Sequence, residues 1–458
     1  MSDDATPERA ARSADAPRRV ALVSLGCAKN EVDAETLLGA LLSAGWDLAV
    51  EAADADVVVV NTCAFIEPAR EEARAHLDEM LALKDDHPDL QVVVTGCMAA
   101  RYGERLLEEF PALDGVFGFG AYADPAAAFE AIRQAGTDRV CGVGQPTPLA
   151  GGPRLLFSGG AYAYLRLAEG CDNRCSYCAV PLIRGGLRSR PEADILAEAE
   201  ELSESGVGEL ALVAQDTAAY GMDRGGVPQL GALLQKLLAL PGAPWIRLLY
   251  AHPAHLRQQE EVIDLLAGEP RLLGYLDLPI QHIDDRILSA MGRHISEREV
   301  LDLLDRLRQR IPDLVLRTSI ITGFPGEDEA SFERLAAFVD EGRFQHLGVF
   351  AYCPEEDTVA RGLPDRPPAE VARARAERIM ELQQRHAFAW LDSRVGAREE
   401  VLVDMPLGGG EALGRTRGEA PEGVDGRIRM RGGDFSPGER IPACLVSRDG
   451  YDLIANAE

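Results

Sequence analysis

Glu169-Gly170-Cys171-Asp172-Asn173-Arg174-Cys175-Ser176-Tyr177-Cys178 sets three cysteines with three and two residues between them, directly after a predicted strand Ala161–Ala168. Three thiolates at this spacing suit three corners of a cubane iron–sulfur cluster, and with no fourth cysteine close by in sequence one iron stays open to another ligand. Structural zinc favours four closed ligands in paired Cys-x-x-Cys form, and disulfide frameworks belong to small secreted chains; both are poorer readings of this run. The loop leaves the carboxyl end of a strand, so the fold turns on which sheet that strand joins.

From Ala161 to about Phe350, buried-strand patterns recur with helical patterns between them: Glu209–Val213, Trp245–Tyr250, Gly274–Leu278, Leu314–Ile321 and His346–Tyr352. Repeated strand–helix units predict a partial TIM-like (βα) barrel with its site at the strand carboxyl ends, and an open one at about six units. On the amino-terminal side, Cys27 ends the apolar run Val20–Gly26, Cys63 ends Val57–Thr62 and Cys97 ends Gln91–Gly96. They lie 36 and 34 residues apart, about one strand–helix–strand unit each, with helical patterns at Glu31–Ser43 and Pro68–Leu83 between them. Parallel strands present their carboxyl ends on one sheet edge, so the three cysteines are expected to converge there as a second three-thiolate set. A single such cysteine reads better as a buried, inert thiol. Cys141, Cys353 and Cys444 share no such placement and are read as non-ligands.

The Gly/Pro-rich link from Gly142 to Pro153 reads as a boundary, Pro367–Ser393 as one amphipathic connector helix with Val371, Ile379, Leu382 and Phe388 at helical intervals, and the short strands Glu400–Val403, Arg427–Met430 and Arg440–Ser447 as a small barrel. The expected architecture is α/β: an amino-terminal parallel α/β domain over 19–140, a central partial barrel over 157–390, and a carboxyl-terminal small antiparallel β-barrel over 392–458.

At 458 residues and 46% hydrophobic content the chain suffices for several cores. The first 18 residues are polar and lack a signal-peptide core, no apolar run reaches membrane-helix length, and nine cysteines with cluster-like spacing point to a reducing compartment; a cytoplasmic location is expected. A net charge of −28 leaves nucleic-acid binding to a local basic patch and suits a basic protein substrate. The acidity, with only Lys29, Lys84 and Lys236 as lysines, equally suits a salty cytosol, whose signature would be stability that falls when salt is removed.

The Cys171 loop, with an aromatic before its last cysteine, resembles the signature of radical S-adenosylmethionine (SAM) enzymes. The whole chain resembles the methylthiotransferase family. The likeness rests on Ser24-Leu25-Gly26-Cys27-Ala28-Lys29-Asn30, Asn61-Thr62-Cys63-Ala64-Phe65-Ile66, Gln215-Asp216-Thr217, Leu278-Pro279-Ile280-Gln281-His282 and Gly323-Phe324-Pro325-Gly326-Glu327. Within that family the chain is most similar to members that modify ribosomal protein S-twelve; the segment around Cys27 is the best discriminator from the transfer-RNA branch. The resemblance implies an amino-terminal cluster domain, a radical SAM core and a TRAM domain. It implies two 4Fe–4S clusters, one on Cys171, Cys175 and Cys178 that cleaves SAM, the other on Cys27, Cys63 and Cys97 that carries the sulfur. One SAM methylates that sulfur and a second supplies the radical that takes hydrogen from the β-carbon of an aspartate; no catalytic acid–base pair is needed. The implied partners are ribosomal protein S-twelve or the small ribosomal subunit, a low-potential electron donor such as flavodoxin or ferredoxin, and a sulfur source, with no membrane.

For SAM, Gly323 and Glu327 resemble the superfamily's adenine-side segment. Gln215 and Asp216 stand where many relatives carry Gly-Gly-Glu against the SAM amino group, a departure from the pattern; Tyr177 would pack on SAM or shield the metal. His252, His255 and His282 are read as structural, and Arg184, Arg188 and Arg190 as either an anion site or internal ion pairs. Two alternatives stay open: methylthiolation of a transfer-RNA adenosine, and a non-enzymatic iron–sulfur RNA-binding protein. From Asp392 onward nine Arg face thirteen Asp and Glu, a poor balance for binding RNA.

Overall fold

In the computed structural model the chain divides into two compact units, residues up to Leu155 and Leu156–Glu458. Residues 17–135, 138–144, 152–242 and 244–458 are described; the polar start of the chain and segment 145–151 of the Gly/Pro link lie outside them.

The first unit runs β1 (Arg19–Ser24), α1 (Ala28–Ser43), β2 (Asp47–Leu48), β3 (Val57–Thr62), α2 (Glu67–Ala82), β4 (Gln91–Gly96), α3 (Cys97–Tyr102), α4 (Arg105–Glu109), β5 (Gly115–Phe117), α5 (Pro125–Ala135) and β6 (Val140–Gly142). Its six strands form one parallel sheet in the order β2-β1-β3-β4-β5-β6. Every residue of the valine-rich β3 is buried, as expected of a strand covered on both faces. β1, β3 and β4 are neighbours in register, with Ser24 opposite Asn61 and Asn61 opposite Thr95, so their carboxyl ends lie side by side.

The second unit opens with β7 (Tyr162–Arg166), β8 (Ala168–Glu169), α6 (Val180–Arg184), β9 (Arg188–Ser189), α7 (Glu192–Glu204), β10 (Glu209–Val213), α8 (Leu230–Ala239), β11 (Trp245–Leu248), α9 (Pro253–Leu256) and α10 (Glu260–Gly268). β12 (Leu272–Asp277), α11 (Asp285–Ala290), α12 (Glu297–Arg310), β13 (Val315–Thr322), α13 (Glu329–Asp340), β14 (His346–Ala351) and α14 (Ala369–Arg394) follow. β7, β10, β11, β12, β13 and β14 pair in sequence order, all parallel, and the sheet stays open between β7 and β14. This is the open partial barrel expected from the repeat. Its core is aliphatic, with Leu165, Leu212, Leu248, Leu276 and Leu316 from successive strands fully buried.

α14 differs from its sequence reading in the face it buries. Ala372, Ile379, Gln383, Ala387 and Leu391 are buried, whereas Val371, Leu382 and Phe388 only flank that stripe. Small residues permit the close approach of α14 to β13 and β14 that larger ones would block.

The chain ends in a closed barrel of β15 (Arg398–Gly408), β16 (Glu411–Arg415), β17 (Ile428–Arg431), β18 (Arg440–Asp449) and β19 (Asp452–Ala457), in the order β15-β16-β17-β19-β18. Its pairs are antiparallel except β17–β19, which is parallel because β18 crosses over before β19 returns. This barrel packs on the amino-terminal ends of the core strands. Arg415 reaches Glu209, the first residue of β10, at 2.9 Å; Arg247 holds the same carboxylate at 2.7 Å; and Tyr275 donates to Asp425 at 2.6 Å. The opposite, carboxyl-end edge of the core is where the Cys171 loop lies. No helix among the described residues is long and apolar enough to cross a membrane.

Candidate cluster and cofactor sites

In the first unit Cys63 and Cys97 follow directly on the ends of β3 and β4 and Cys27 comes shortly after β1; Cys27 caps α1 and Cys97 opens α3. Gly96 is required there: at φ +85°, a Cβ would sit 2.4 Å from Asn61 Oδ1 and 2.7 Å from Thr62 O. Asn30, on the first turn of α1, ties the three ends together. Its Nδ2 donates to Leu25 O and Thr62 O, each at 2.9 Å, its Oδ1 accepts from Cys97 Sγ at 3.4 Å, and its backbone oxygen accepts from Asn61 Nδ2 at 2.8 Å. Burial increases from Cys27, exposed, through Cys63 to Cys97, buried.

In the second unit the Cys171 loop is clamped by backbone bonds from three directions. Cys171 N–H donates to Gly185 O at 3.1 Å, Ser176 N–H to Met291 O at 2.9 Å, and Ala360 N–H to Ser176 O at 2.8 Å. Ser176 Oγ adds a bond to Ala290 O at 2.7 Å. Tyr177 stands edge-on to Phe324, and Phe324 edge-on to Tyr352. All nine cysteines are free thiols. Burial pushes the Cys171 and Cys178 thiols up to about 12, so a thiolate at either place needs a positive partner, as metal coordination supplies. Three sulfur donors on one rigid loop fit an iron–sulfur cluster.

Asp216, just past β10, is buried and ties this loop to the next strand. It accepts from Asn173 Nδ2 at 2.8 Å, pairs with His255 Nδ1 at 2.7 Å and accepts from His252 N–H at 3.1 Å. Although burial opposes it, the hydrogen bonds from His255 and Asn173 hold the Asp216 carboxyl below its ordinary range. Gln215 is half-buried and has no side-chain hydrogen bond among the described residues. Ligand atoms of Asp216, His252 and His255 come within 4.8 Å of one another, as a single metal ion would need. However, His252 Nδ1 already accepts from Ala254 N–H at 3.2 Å, which caps α9 and puts the proton of the neutral ring on Nε2. Burial pushes His252 well below its ordinary value, so the ring is neutral and Nε2 offers no lone pair. Both histidines are held within the protein, His252 by the amino end of α9 and His255 by Asp216.

Gly323 and Glu327 lie at the end of β13. Glu327 is buried, accepts from Gly323 N–H at 3.0 Å and pairs with Arg375 of α14 at 2.7 Å. Gly323 has φ +72°, and a Cβ there would meet Ala372 Cβ at 2.2 Å, so its need for glycine is met within the protein by the helix packed on it. Of the three arginines, Arg184 forks onto Glu169 with both bonds at 3.1 Å, Arg190 pairs with Glu198 at 2.7 Å, and Arg188 donates to the carbonyls of Arg184 and Gly186. Arg184 and Arg190 are therefore in internal ion pairs, whereas Arg188 bonds only to backbone carbonyls among the described residues. Sequence reasoning missed Asn173 and Arg293 as neighbours of the cysteine loop; Arg293 lies 115 residues beyond Cys178, and no motif links them.

Three family profiles match the chain: uncharacterized protein family UPF0004 over residues 19–118, the radical SAM superfamily over 165–339 and the TRAM domain over 395–457. The chain is 43% identical to a ribosomal protein uS12 methylthiotransferase RimO of Myxococcus xanthus over 446 residues, 96% of this chain and 91% of that one. It is 42% identical to the protein of the same name from Syntrophotalea carbinolica over 441 residues, 95% and 96% of the two chains. Among solved structures, the radical SAM methyltransferase TsrM from Kitasatospora setae, with cobalamin and a 4Fe–4S cluster bound, aligns with a TM-score of 0.54 at 19% identity, over 75% of this chain and 77% of that chain. That last likeness concerns the fold alone.

Proposed function

This chain belongs to the RimO family of ribosomal protein uS12 methylthiotransferases, and from that premise we propose how its residues divide the work. It is a radical SAM transferase that uses a 4Fe–4S cluster and SAM, and it adds a methylthio group to the β-carbon of an aspartate in uS12. Cys171, Cys175 and Cys178 hold the SAM-cleaving cluster, and Cys27, Cys63 and Cys97 hold a second 4Fe–4S cluster. When bound, these groups supply what side chains lack: a deoxyadenosyl radical able to take hydrogen from an unactivated carbon, and a methylated sulfur to join to it.

The chain's own residues position and shield. Asp216 presents a buried carboxylate beside the cysteine loop for the SAM amino group, and the unengaged amide of Gln215 lies next to it. Glu327 acts through Gly323, fixing the turn that borders the adenine, and Tyr177 closes the loop against Phe324. Electrons come from a low-potential flavodoxin or ferredoxin and sulfur from a sulfide-level donor, in the cytoplasm. The observation that supports this reading is that three cysteines from distant sequence follow the carboxyl ends of adjacent parallel strands in the first unit, while the second unit carries its own three-cysteine loop. SAM cleavage alone requires one three-cysteine set; sulfur insertion gives the second a purpose.

The test is mass spectrometry of a uS12 loop peptide and an anticodon stem-loop after anaerobic incubation with reconstituted enzyme, SAM, sulfide and reductant. A methylthio adduct on the peptide's aspartate is expected. An adduct on the RNA adenosine alone would move the enzyme to the transfer-RNA branch, and absence of reductive SAM cleavage would leave only a binding protein.

A further inference from the structure

Nine arginines are buried among the described residues: Arg70, Arg166, Arg184, Arg190, Arg247, Arg293, Arg375, Arg394 and Arg415. Eight of them lie within 3.1 Å of a carboxylate oxygen. Arg293 is the exception: it is 4% exposed and has no carboxylate within 4 Å among the described residues. A guanidinium stays charged under all ordinary conditions, and a buried charge without an opposite one is strongly disfavoured. The nearby Asp216 lies beyond ion-pair distance, its carboxylate held in place by His255, Asn173 and the His252 N–H, so it does not pair with Arg293.

What Arg293 does touch is sulfur. Its Nη1 donates to Cys175 Sγ at 3.5 Å and its Nη2 to Pro279 O, while Nε has no partner. The contact is built in by the fold. Met291 and Ala290, at the end of α11, accept the two bonds from Ser176, and the chain reaches Arg293 two residues later, under the middle cysteine of the loop. Tyr177 and His252 crowd the same space, and Arg293 depresses the neutral His252 ring further. The guanidinium is therefore held in a dry place against one thiol.

We infer that Arg293 is the counter-ion of the cluster carried by Cys171, Cys175 and Cys178, a positioning residue that raises that cluster's reduction potential through its charge and its hydrogen bond to Cys175 Sγ. This rests on the assignment of those cysteines as cluster ligands. A 4Fe–4S cluster with three thiolates is anionic, and reduction adds one more negative charge. A fixed cation on a thiolate sulfur stabilises the reduced form more than the oxidised one. The enzyme then accepts its electron from a milder donor than an unassisted cluster would need.

The experiment uses the full chain with Cys27, Cys63 and Cys97 replaced by Ala, so that one cluster gives the signal. Midpoint potentials are read by electron paramagnetic resonance titration, together with iron content and SAM dissociation constants, for the Arg293 protein and for Arg293→Met and Arg293→Lys. A more negative midpoint in R293M at equal iron content, restored toward the parent in R293K, is the expected result. An unchanged midpoint in R293M overturns the inference, and if SAM affinity falls instead, Arg293 is a SAM ligand. Should R293M lose its iron, retention of iron by R293K upholds the charge role, and loss in both assigns Arg293 to structure alone. Failure of the parent protein to hold iron would strike the cluster assignment itself, a different outcome from any of these.

Discussion

Asn30 is the residue on which the first unit's site depends most. Its side-chain Nδ2 donates to the carbonyls of Leu25 and Thr62, its backbone oxygen accepts from Asn61 Nδ2, and its Oδ1 receives the Cys97 thiol. One amide side chain thus sets the spacing of three strand ends that no covalent bond connects. Asn30→Ala leaves the carbonyls of Leu25 and Thr62 without this donor, a loss on the order of 1–3 kcal/mol for buried groups. The expected result is selective: iron per reconstituted chain falls from about eight to about four, cleavage of SAM to deoxyadenosine continues, and methylthio transfer stops. Iron analysis with product quantification checks it, and an N30A protein that retains full iron and transfer would remove Asn30 from the site. The sequence made these cysteines legible because each ends an apolar run at a regular interval. It did not make Asn30 legible as their tie, because an asparagine one turn into a helix has the same pattern whether it points to solvent or to strand ends.

At the level of elements, a helix cap is a local interaction and packing is not. α12 begins with Ser296, whose Oγ accepts from Glu299 N–H while the Glu299 carboxylate accepts from Ser296 N–H at 2.9 Å, a reciprocal box over one turn. Ser296→Ala is expected to destabilise the core by about 1 kcal/mol, and Glu299→Ala by a similar amount, read as parallel losses in chemical denaturation midpoint with the slope unchanged. If both variants melt like the parent, the box contributes nothing beyond solvent. The core strands were readable because each is a short apolar run that needs no partner to be recognised. The buried face of α14 was not, because Ala372 and Ala387 are poor markers of burial and Gln383 looks like a surface residue. Gln383 is buried because its Nε2 donates to Phe344 O at 2.9 Å and Gln345 O at 3.2 Å, contacts made by a loop 38 residues away. Likewise the parallel β17–β19 pair depends on a crossover that strand periodicity does not encode, and the two-residue β8–β9 ribbon is too short for any period.

Across the whole second unit, the small barrel is joined to the core by buried charge rather than by apolar area alone, and that choice makes the joint sensitive to acid. Glu419 lies between β16 and β17, pairs with Arg394 at the end of α14, and accepts from Thr416 N–H at 3.0 Å and Thr416 Oγ1 at 2.6 Å. Burial alone would raise its carboxyl, but the Arg394 guanidinium and the Thr416 bonds hold it at about 2, against an ordinary value of 4.5. A depressed carboxyl contributes stability that is complete above its unfolded pKa and is lost as pH falls through the folded one. The window is therefore between about pH 4.5 and pH 2, and the difference of two to three pKa units corresponds to about 3 kcal/mol. Trp245 reports on the joint, since its ring is fully buried at the start of β11 with Arg417 and Arg440 of the small barrel 5.6 and 5.8 Å from its centre. Glu419→Gln keeps the shape and removes the titration, while Arg394 retains Glu399 at 2.9 Å. At pH 7 the E419Q chain, with Trp46 and Trp390 replaced by Phe, should lose its buried-tryptophan emission at lower denaturant than the parent carrying the same replacements. As pH falls toward 2 the two curves should converge, because protonating Glu419 does to the parent what the substitution has already done. A constant gap between them at every pH would mean that shape and not charge holds the barrel to the core.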